Sequence, residues 1–322
     1  MKNILLSTIF VVFLSSCKND TTQRIVGESL GNINELTVVI ENKLWEGNVG
    51  DQIRTIFAAP VDGLPQDEPL FTLKQIPPSV FDGFATKGRT ILKIEEGSPE
   101  VKYLSNVLAK PQRLILITGN SNQELIDQLS SQANKMITLF KQQEQKEKLR
   151  RISLSPHNTK TIQEALGITL KFPSVYRIAK EEKDFFWIRK DITTGTTNLL
   201  IYQLPLSAIT INDSLVPQMI KIRDSIGKAH IPGPLEGSYM ITEKAYSPFL
   251  FETEIQGRKT YEIKSTWEVK NAVMGGPFIN YLIEDKPNNR YLILEGFAFA
   301  PSVAKRDYMF ELETIIKSVK IN

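Results

Sequence analysis

Two series of strand-like segments, each followed by a long amphipathic helix pattern, most constrain how this chain folds. Short runs that are rich in β-branched residues or that alternate in polarity occur at 36–40, 71–76, 90–94 and 113–118. A second series runs from 166 to 299 and precedes a helix pattern over 303–319. Such elements bury their apolar faces by packing helices on a sheet. The pattern predicts an α+β fold of two units, each an antiparallel sheet covered by helices.

The clearest helix pattern covers residues 121–143. Ser121 and Glu124 have the S-x-x-E spacing of a capping box. The apolar residues that follow recur on one stripe, at 125, 126, 129, 133, 136, 137 and 140. The run 141–151 continues with charged residues, and we interpret it as a solvated helix end with cations near its C-terminus. A basic surface for anionic lipid or peptidoglycan is the alternative.

The N-terminus has the pattern of an export signal. Lys2 precedes the apolar run 4–14, which as a helix is about 16 Å long and too short to span a bilayer core of roughly 30 Å. The run ends in Leu14-Ser15-Ser16-Cys17, which resembles a bacterial lipobox. That resemblance implies diacylglyceryl (palmitate-type) acylation of the Cys17 thiol and cleavage before Cys17. The alternative is a cleaved signal followed by a coincidental cysteine.

These observations predict the domain organisation. Residues 1–16 form a signal peptide, and the polar stretch 17–34 forms a lipidated tether. The first α+β unit covers 35–151, a linker covers 152–165, and the second unit covers 166–322. The second unit resembles the α-β-α sandwich of the PsbP/Mog1 type, and this likeness of fold implies no function.

Residue counts exclude several function classes. The chain has 322 residues, one cysteine and two histidines, which excludes a disulfide framework and a zinc finger. Its net charge of +3 is too small for a nucleic-acid-binding surface. It lacks the common motifs of nucleotide binding, zinc proteases and serine hydrolases. We expect no cofactor, no metal and no nucleic-acid partner.

A few residues are weak candidates for ligand binding. Asp67 and Glu68 lie between two prolines, and their oxygens suit a cation if further ligands join them; a polar turn is the alternative. His230 is a conceivable general base or a structural histidine. Gly275 and Gly276 form an anion nest or a tight turn. Trp267, with Trp45 and Trp187, stacks on carbohydrate or packs in the core.

Five segments together resemble the DUF4837 family, lipoproteins of the Bacteroidota. They are LWEGNVGDQIR (44–54), GLPQDEPLFTL (63–73), IPGPLEGSYMITE (231–243), STWEVKNAVMGGPFINY (265–281) and LEGFAFAPSVAKRDYMFELETI (294–315). The resemblance covers nearly the whole mature chain. It implies an uncharacterised envelope lipoprotein and assigns no catalytic residue.

The sequence therefore predicts a membrane-anchored lipoprotein of the cell envelope, expected at the outer membrane through the acyl group on Cys17. Whether it faces the periplasm or the cell surface stays open. The expected role is non-enzymatic binding or assembly with an envelope protein or glycan. The alternative is a glycan-acting hydrolase or carbohydrate-binding enzyme, which needs two carboxylates facing each other across a cleft, roughly 5–10 Å apart.

Overall fold

The structure, a computed structural model, describes residues 26–322, and its strands form two large sheets with separate hydrophobic cores. We call Glu35–Ile152 the N-terminal unit and Lys160–Ile321 the C-terminal unit. The predicted signal peptide 1–16 and Cys17 lie outside the described residues. Within 26–322, no helix combines the length and apolar character needed to cross a membrane.

The N-terminal unit is a five-stranded sheet with helices packed on one face. Its elements in chain order are β1 (Glu35–Val39), α1 (Asn42–Glu46), α2 (Asn48–Phe57), β2 (Thr72–Ile76), β3 (Thr90–Glu96), β4 (Glu100–Ser105), β5 (Arg113–Gly119) and α3 (Asn122–Ile152). The strand order is β2-β1-β3-β5-β4. Alternate residues of β1 such as Leu36 and Val38 are buried against α2 and α3, as the period of two in a strand requires.

Strand direction in this sheet departs from the prediction. The pairs β1–β2, β1–β3 and β3–β5 are parallel, and only β4–β5 is antiparallel. The cause is the path of the chain: after β1 it passes through α1 and α2 before returning as β2, and a crossover through helices brings the next strand back in the same direction.

The C-terminal unit is built on an eight-stranded antiparallel sheet, as predicted. Its elements are α4 (Lys160–Leu166), β6 (Ile168–Thr169), β7 (Arg177–Glu182), β8 (Phe185–Ile192), β9 (Gly195–Pro205), α5 (Leu215–His230), β10 (Met240–Thr242), β11 (Phe249–Ile255), β12 (Arg258–Val269), β13 (Ala272–Asp285), β14 (Arg290–Phe299), α6 (Arg306–Lys317) and β15 (Lys320–Ile321). The order is β10-β12-β13-β14-β9-β8-β7, with β11 on the outer edge of β12; β6 and β15 form a separate pair.

Helices cover both faces of this sheet. On one face, α6 packs on β13 and β14 through Leu312, Ile315 and Ile316. On the other face, α5 packs through Leu215 and Met219. The predicted α+β class, with an α-β-α arrangement in the second unit, is therefore confirmed.

Two segments predicted to lack packing are packed. In the predicted tether 17–34, Leu30 bridges to Gly88, and Asn34 is fully buried. In the predicted linker 152–165, α4 begins at Lys160 and places Ile162 in the core without exposure. A polar segment can still pack when tertiary contacts bury its few apolar side chains. The average polarity of these two segments therefore does not reveal that they pack.

Helix α3 begins at the predicted cap but is longer and more buried than predicted. The Ser121 hydroxyl accepts a hydrogen bond from the Glu124 backbone N–H at 3.3 Å. Beyond 141, where we interpreted a solvated end, Glu144 and Glu147 are buried. Glu144 and Glu147 continue the spacing of the apolar stripe of α3. Their carboxylates contact charged side chains rather than water.

The packing of α6 on the sheet predicts a large effect for Leu312→Ala. Leu312 has no exposed surface, and its Cβ lies so close to Gly296 that a Cβ at that glycine would be 2.7 Å away. We expect the free energy of unfolding to fall by about 2–5 kcal/mol, from lost burial and a residual cavity.

Urea denaturation of Leu312→Ala and of Leu154→Ala measures this effect with a matched control. Leu154 is 74% exposed, so its truncation should change the unfolding free energy by no more than about 0.5 kcal/mol. Equal midpoints for the two variants would contradict the assignment of α6 to the core.

Candidate functional site

The candidate site is a cleft of about 460 Å³ between the two units. The N-terminal unit contributes the loop around Gly63 and one face of α3, including Ile137 and Lys141. The C-terminal unit contributes α6, including Phe310, and strands β11 to β13. We name it the inter-unit cleft.

A carboxylate from the N-terminal unit caps α6 and fixes one wall of the inter-unit cleft. Glu68 Oε1 accepts from the Lys305 backbone N–H at 2.6 Å, and Oε2 accepts from the Arg306 N–H at 2.7 Å. These two N–H groups are at the start of the helix, where an anion is favourable. Glu68 is therefore a helix cap, while the neighbouring Asp67 is exposed. Adjacent side chains in this segment point apart, so the pair forms no shared cation site.

Gly63 brings the loop close to β12. Its φ of +83° lies in the left-handed region, and a Cβ there would be 2.6 Å from the Lys264 Cβ. A larger residue would push the loop from the strand and widen the cleft, so this position requires glycine.

Lys141 is a half-buried cation of the cleft. Its Nζ donates to the Leu70 carbonyl at 2.7 Å and to Asn34 Oδ1 at 2.9 Å. It also lies 4.4 Å from the centre of the Phe71 ring and 5.2 Å from that of Phe310. Burial lowers the pKa of Lys141 to about 8, against opposing contributions from nearby carboxylates. No carboxylate within residues 26–322 lies within 4.0 Å of this amine.

A buried network holds the Lys141 acceptor in place. The Asn34 backbone N–H donates to Glu144 Oε2 at 2.9 Å, and its Nδ2 donates to Asp307 Oδ1 at 2.9 Å. Glu144 is paired with Arg89 through two hydrogen bonds of 2.8 Å. The Asn34 backbone carbonyl also accepts from the Thr72 N–H at 2.8 Å, so all four polar groups of Asn34 are used, and the residue connects α3 to α6.

Two other lysines of the wall are paired with carboxylates. Lys264 lies 2.7 Å from Glu262, and Lys317 lies 2.5 Å from Glu313. Burial alone would raise the pKa of Glu313, but Lys317 and Lys264 lower it. Burial alone would lower the pKa of Lys264, but the two glutamates raise it. These groups form close ion pairs, whereas the two direct hydrogen-bond acceptors of Lys141 are neutral oxygens.

A second depression, of about 630 Å³, surrounds His230. The His230 ring stacks on Phe185 at 4.0 Å, and its Nδ1 accepts from Lys180 Nζ at 2.9 Å. Burial and the charge of Lys180 lower the pKa of His230. The ring is thus neutral at pH 7 and stabilised by stacking on the face opposite α6. His230 and Glu68 do not belong to one site.

Gly275 and Gly276 allow neighbouring strands to lie close together. Gly275 and Gly276 lie within β13, not in a turn, and a Cβ at Gly276 would be 2.1 Å from the Ala298 carbonyl oxygen. Trp267 is 2% exposed, and its Nε1 donates to that same oxygen at 3.2 Å. Trp45 lies in the other unit, so the three tryptophans do not form one platform. Within residues 26–322, no group of three His, Cys, Asp or Glu side chains is arranged to hold a metal ion.

Sequence reasoning missed Lys141 because its environment comes from residues distant in the chain. Asn34 is 107 positions away, and Phe310 belongs to the other unit. One signal was available: Glu144 and Glu147 occur where the apolar stripe of α3 would continue. Charged residues at stripe positions indicate buried partners rather than a solvated helix end.

Family models divide the chain close to the boundary between the two units. The model described as a domain of unknown function, DUF4837, matches residues 155–318, just over half of the chain. The chain belongs to the DUF4837 family. A second domain of unknown function, DUF8532, matches residues 29–153. The segments 44–54 and 63–73 therefore fall in the DUF8532 match, and the DUF4837 match is shorter than the sequence predicted. No curated protein matches this DUF4837 member.

Solved structures similar to this DUF4837 member share low identity with it. Cyanobacterial PsbP (CyanoP) from Synechocystis sp. PCC 6803 is 11% identical, covers 52% of this chain and 93% of its own, and has a TM-score of 0.34. The Saccharomyces cerevisiae Ran-binding protein Mog1p is 8% identical, covers 48% and 89%, and has a TM-score of 0.30. LpqN, involved in cell envelope biogenesis of Mycobacterium tuberculosis, is 12% identical, covers 48% and 82%, and has a TM-score of 0.28.

An ion-paired carboxylate beside the cleft gives this DUF4837 member a predicted acid sensitivity. Glu311 on α6 lies 2.7 Å from Lys148 on α3 and also pairs with Lys190. Burial alone would raise the pKa of Glu311, but these lysines lower it from 4.5 to about 2. A depressed folded-state pKa stabilises the fold above pH 4.5 by about 3 kcal/mol, and this contribution is lost as the pH falls from about 4.5 to about 2.

Replacing Glu311 with Gln removes this contribution. We expect the loss in unfolding free energy, measured by urea denaturation, to be about 2 kcal/mol larger at pH 7 than at about pH 3. Glu254→Gln, which changes an exposed carboxylate, is the control and should show little loss at either pH. A loss for Glu311→Gln that is the same at both pH values would contradict the ion-pair assignment.

Proposed function

We propose that this chain is a lipid-anchored binding protein of the cell envelope and that the inter-unit cleft is its ligand site. One observation carries the ligand site: a cleft lined by both apolar and polar side chains contains the Lys141 amine, which has no carboxylate within 4.0 Å in the described residues. Cavities of this size, mostly apolar with a few convergent polar groups, are typical of small-molecule sites. A lysine with a perturbed pKa in a cleft is a further indicator of a functional site.

The alternative of a glycan-acting hydrolase receives less support from the geometry. Glu262 and Glu313 both lie near the Tyr281 hydroxyl, at 2.7 and 3.5 Å. Each carboxylate is paired with a lysine, and the pKa of Glu313 is lowered. A glycosidase needs one carboxylic acid with a raised pKa as proton donor. Two carboxylates that are each ion-paired with a lysine suit a structural role, so we favour a ligand-binding function over hydrolysis.

Blocking the cleft mouth tests the ligand site. Thr138 is an exposed residue of α3 that lines the cleft, so Thr138→Trp should occupy its entrance without disturbing the core. We expect the affinity for the neutral fluorophore N-phenyl-1-naphthylamine, measured by fluorescence titration, to fall by at least about tenfold.

Asn134→Trp is the matched control because Asn134 is exposed on the same helix and does not line the cleft. It should bind the fluorophore as the unsubstituted chain does. No binding by the unsubstituted chain, or equal binding by both variants, would overturn the proposed site.

The sequence supports the anchor through the signal and Leu14-Ser15-Ser16-Cys17. Two acyl chains anchor a protein stably, whereas one chain is marginal. We predict that Cys17→Ser shifts the protein from the membrane fraction to the soluble fraction of its own cells. Thr21→Ala, four residues further along, should leave it in the membrane fraction. A Cys17→Ser variant that still sediments with membranes would show a different attachment.

A further inference from the structure

The cations that line the inter-unit cleft differ in whether a carboxylate lies next to them. Lys264, Lys317 and Arg306 each have a carboxylate within 3.0 Å. Lys141 has none within 4.0 Å in the described part of the chain, although it is half-buried in the same wall. A buried charge without an opposite charge is costly, and an arriving anion removes that cost.

The donors of Lys141 are only partly used. An ammonium has three N–H donors. Two of these N–H groups donate hydrogen bonds to the Leu70 carbonyl and to Asn34 Oδ1, which are both neutral acceptors. One donor is left for a ligand, in a cleft that Lys141 itself lines together with Leu70 and Phe310.

Apolar side chains also line the cleft near this donor. Ile137 on α3 and Met309 on α6 line the same cleft as Phe310. A ligand that satisfies Lys141 therefore places its anionic group at the amine and an apolar body against these side chains.

We propose that the inter-unit cleft binds an amphiphile with an apolar chain and a single carboxylate, and that the carboxylate pairs with Lys141. This inference rests on the proposed function and names the ligand class of that site. A single carboxylate matches the one Lys141 donor that the protein leaves unused. A phosphate dianion would need a second free cation, and the guanidinium of Arg306 is held by Asp307 and by the Pro69 carbonyl.

Binding of this ligand depends on pH. The charged groups around Lys141 are Glu144 on its own helix and, on α6, Glu313, Asp307 and Arg306. Burial lowers the pKa of Lys141 to about 8 in the free protein, with Arg306 acting in the same direction and the three carboxylates opposing. A bound carboxylate favours the ammonium form. Affinity is therefore highest at pH values above the pKa of the ligand carboxyl and below about 8, and it decreases as the pH rises through about 8, because the neutral amine cannot pair with the anion.

Decanoate and decanol provide a matched pair of probes, with the same chain and different headgroups. We expect calorimetric titration of the full chain carrying Cys17→Ser to show that decanoate affinity falls about tenfold from about pH 7 to about pH 9, while decanol affinity stays constant. This series uses one protein and does not depend on how any Lys141 variant folds.

Variants then assign the effect to Lys141. Lys141→Met should lower the ratio of decanoate to decanol affinity by about tenfold at pH 7, since a hydrogen bond between charged groups is lost. Lys141→Arg keeps the charge and should retain most of the preference. Lys146→Met, an exposed lysine on α3 outside this cleft, should leave the ratio unchanged.

The outcomes separate this inference from the proposed function. If decanol and the neutral fluorophore bind but decanoate affinity is independent of pH, the ligand site stands and the carboxylate assignment is overturned. Tighter binding of decyl phosphate than of decanoate would also overturn it. If no probe binds, both the ligand site and its ligand class fail.

Discussion

The arrangement of the two units depends on one carboxylate at the start of one helix. Glu68 belongs to the N-terminal unit, and the two N–H groups that it accepts belong to α6 of the C-terminal unit. Separating the units would leave a buried carboxylate and two helix-end donors without partners in the protein. Each such loss costs about 1–3 kcal/mol when the group stays buried. Because α6 is also packed on β13 and β14, the capping bond positions the whole C-terminal sheet relative to α3.

Polar contacts join the two units at definite points, alongside the apolar packing of Leu64 and Ile152 in the C-terminal core. Lys148 and Glu311 join α3 to α6, and Asn34 connects Glu144 to Asp307. Ion pairs and hydrogen bonds of this kind need definite partners, so removing one partner leaves a buried charge and costs more than the pair contributes. The polar contacts hold the units at fixed points, and between those points the cleft beside Lys141 remains open.

The parts of the fold that follow from local pattern could be predicted from the sequence. The α3 cap at Ser121, the antiparallel run of the C-terminal sheet and the apolar face of α6 all depend on residues close together in the chain. The sequence pattern predicted an antiparallel sheet in the N-terminal unit, whereas β1 and β2 are parallel. The order strand, helix, strand, which brings the second strand back in the same direction, was visible in the sequence. The site was missed for a different reason: Lys141 gains its properties from Asn34, Leu70 and Phe310, and no spacing rule relates residues so far apart. Glu68 was noticed for its charge, but only the fold shows that this charge caps a helix.

The segment 26–34, which contacts Lys141 through Asn34, also limits the distance between the cleft and a membrane. Asn34 ends a stretch that begins at Val26 and is joined to the N-terminal unit by the backbone bridge between Leu30 and Gly88. Nine residue steps separate Cys17 from Val26, and a chain of that length spans at most about 30 Å in any conformation. Under the proposed anchor, the N-terminal unit therefore stays within that distance of the bilayer surface. A carboxylate amphiphile is concentrated at the same surface, because its chain partitions into lipid. The lipid anchor and a cleft that binds such an amphiphile would then serve one purpose, which is to keep the cleft where its ligand is most abundant.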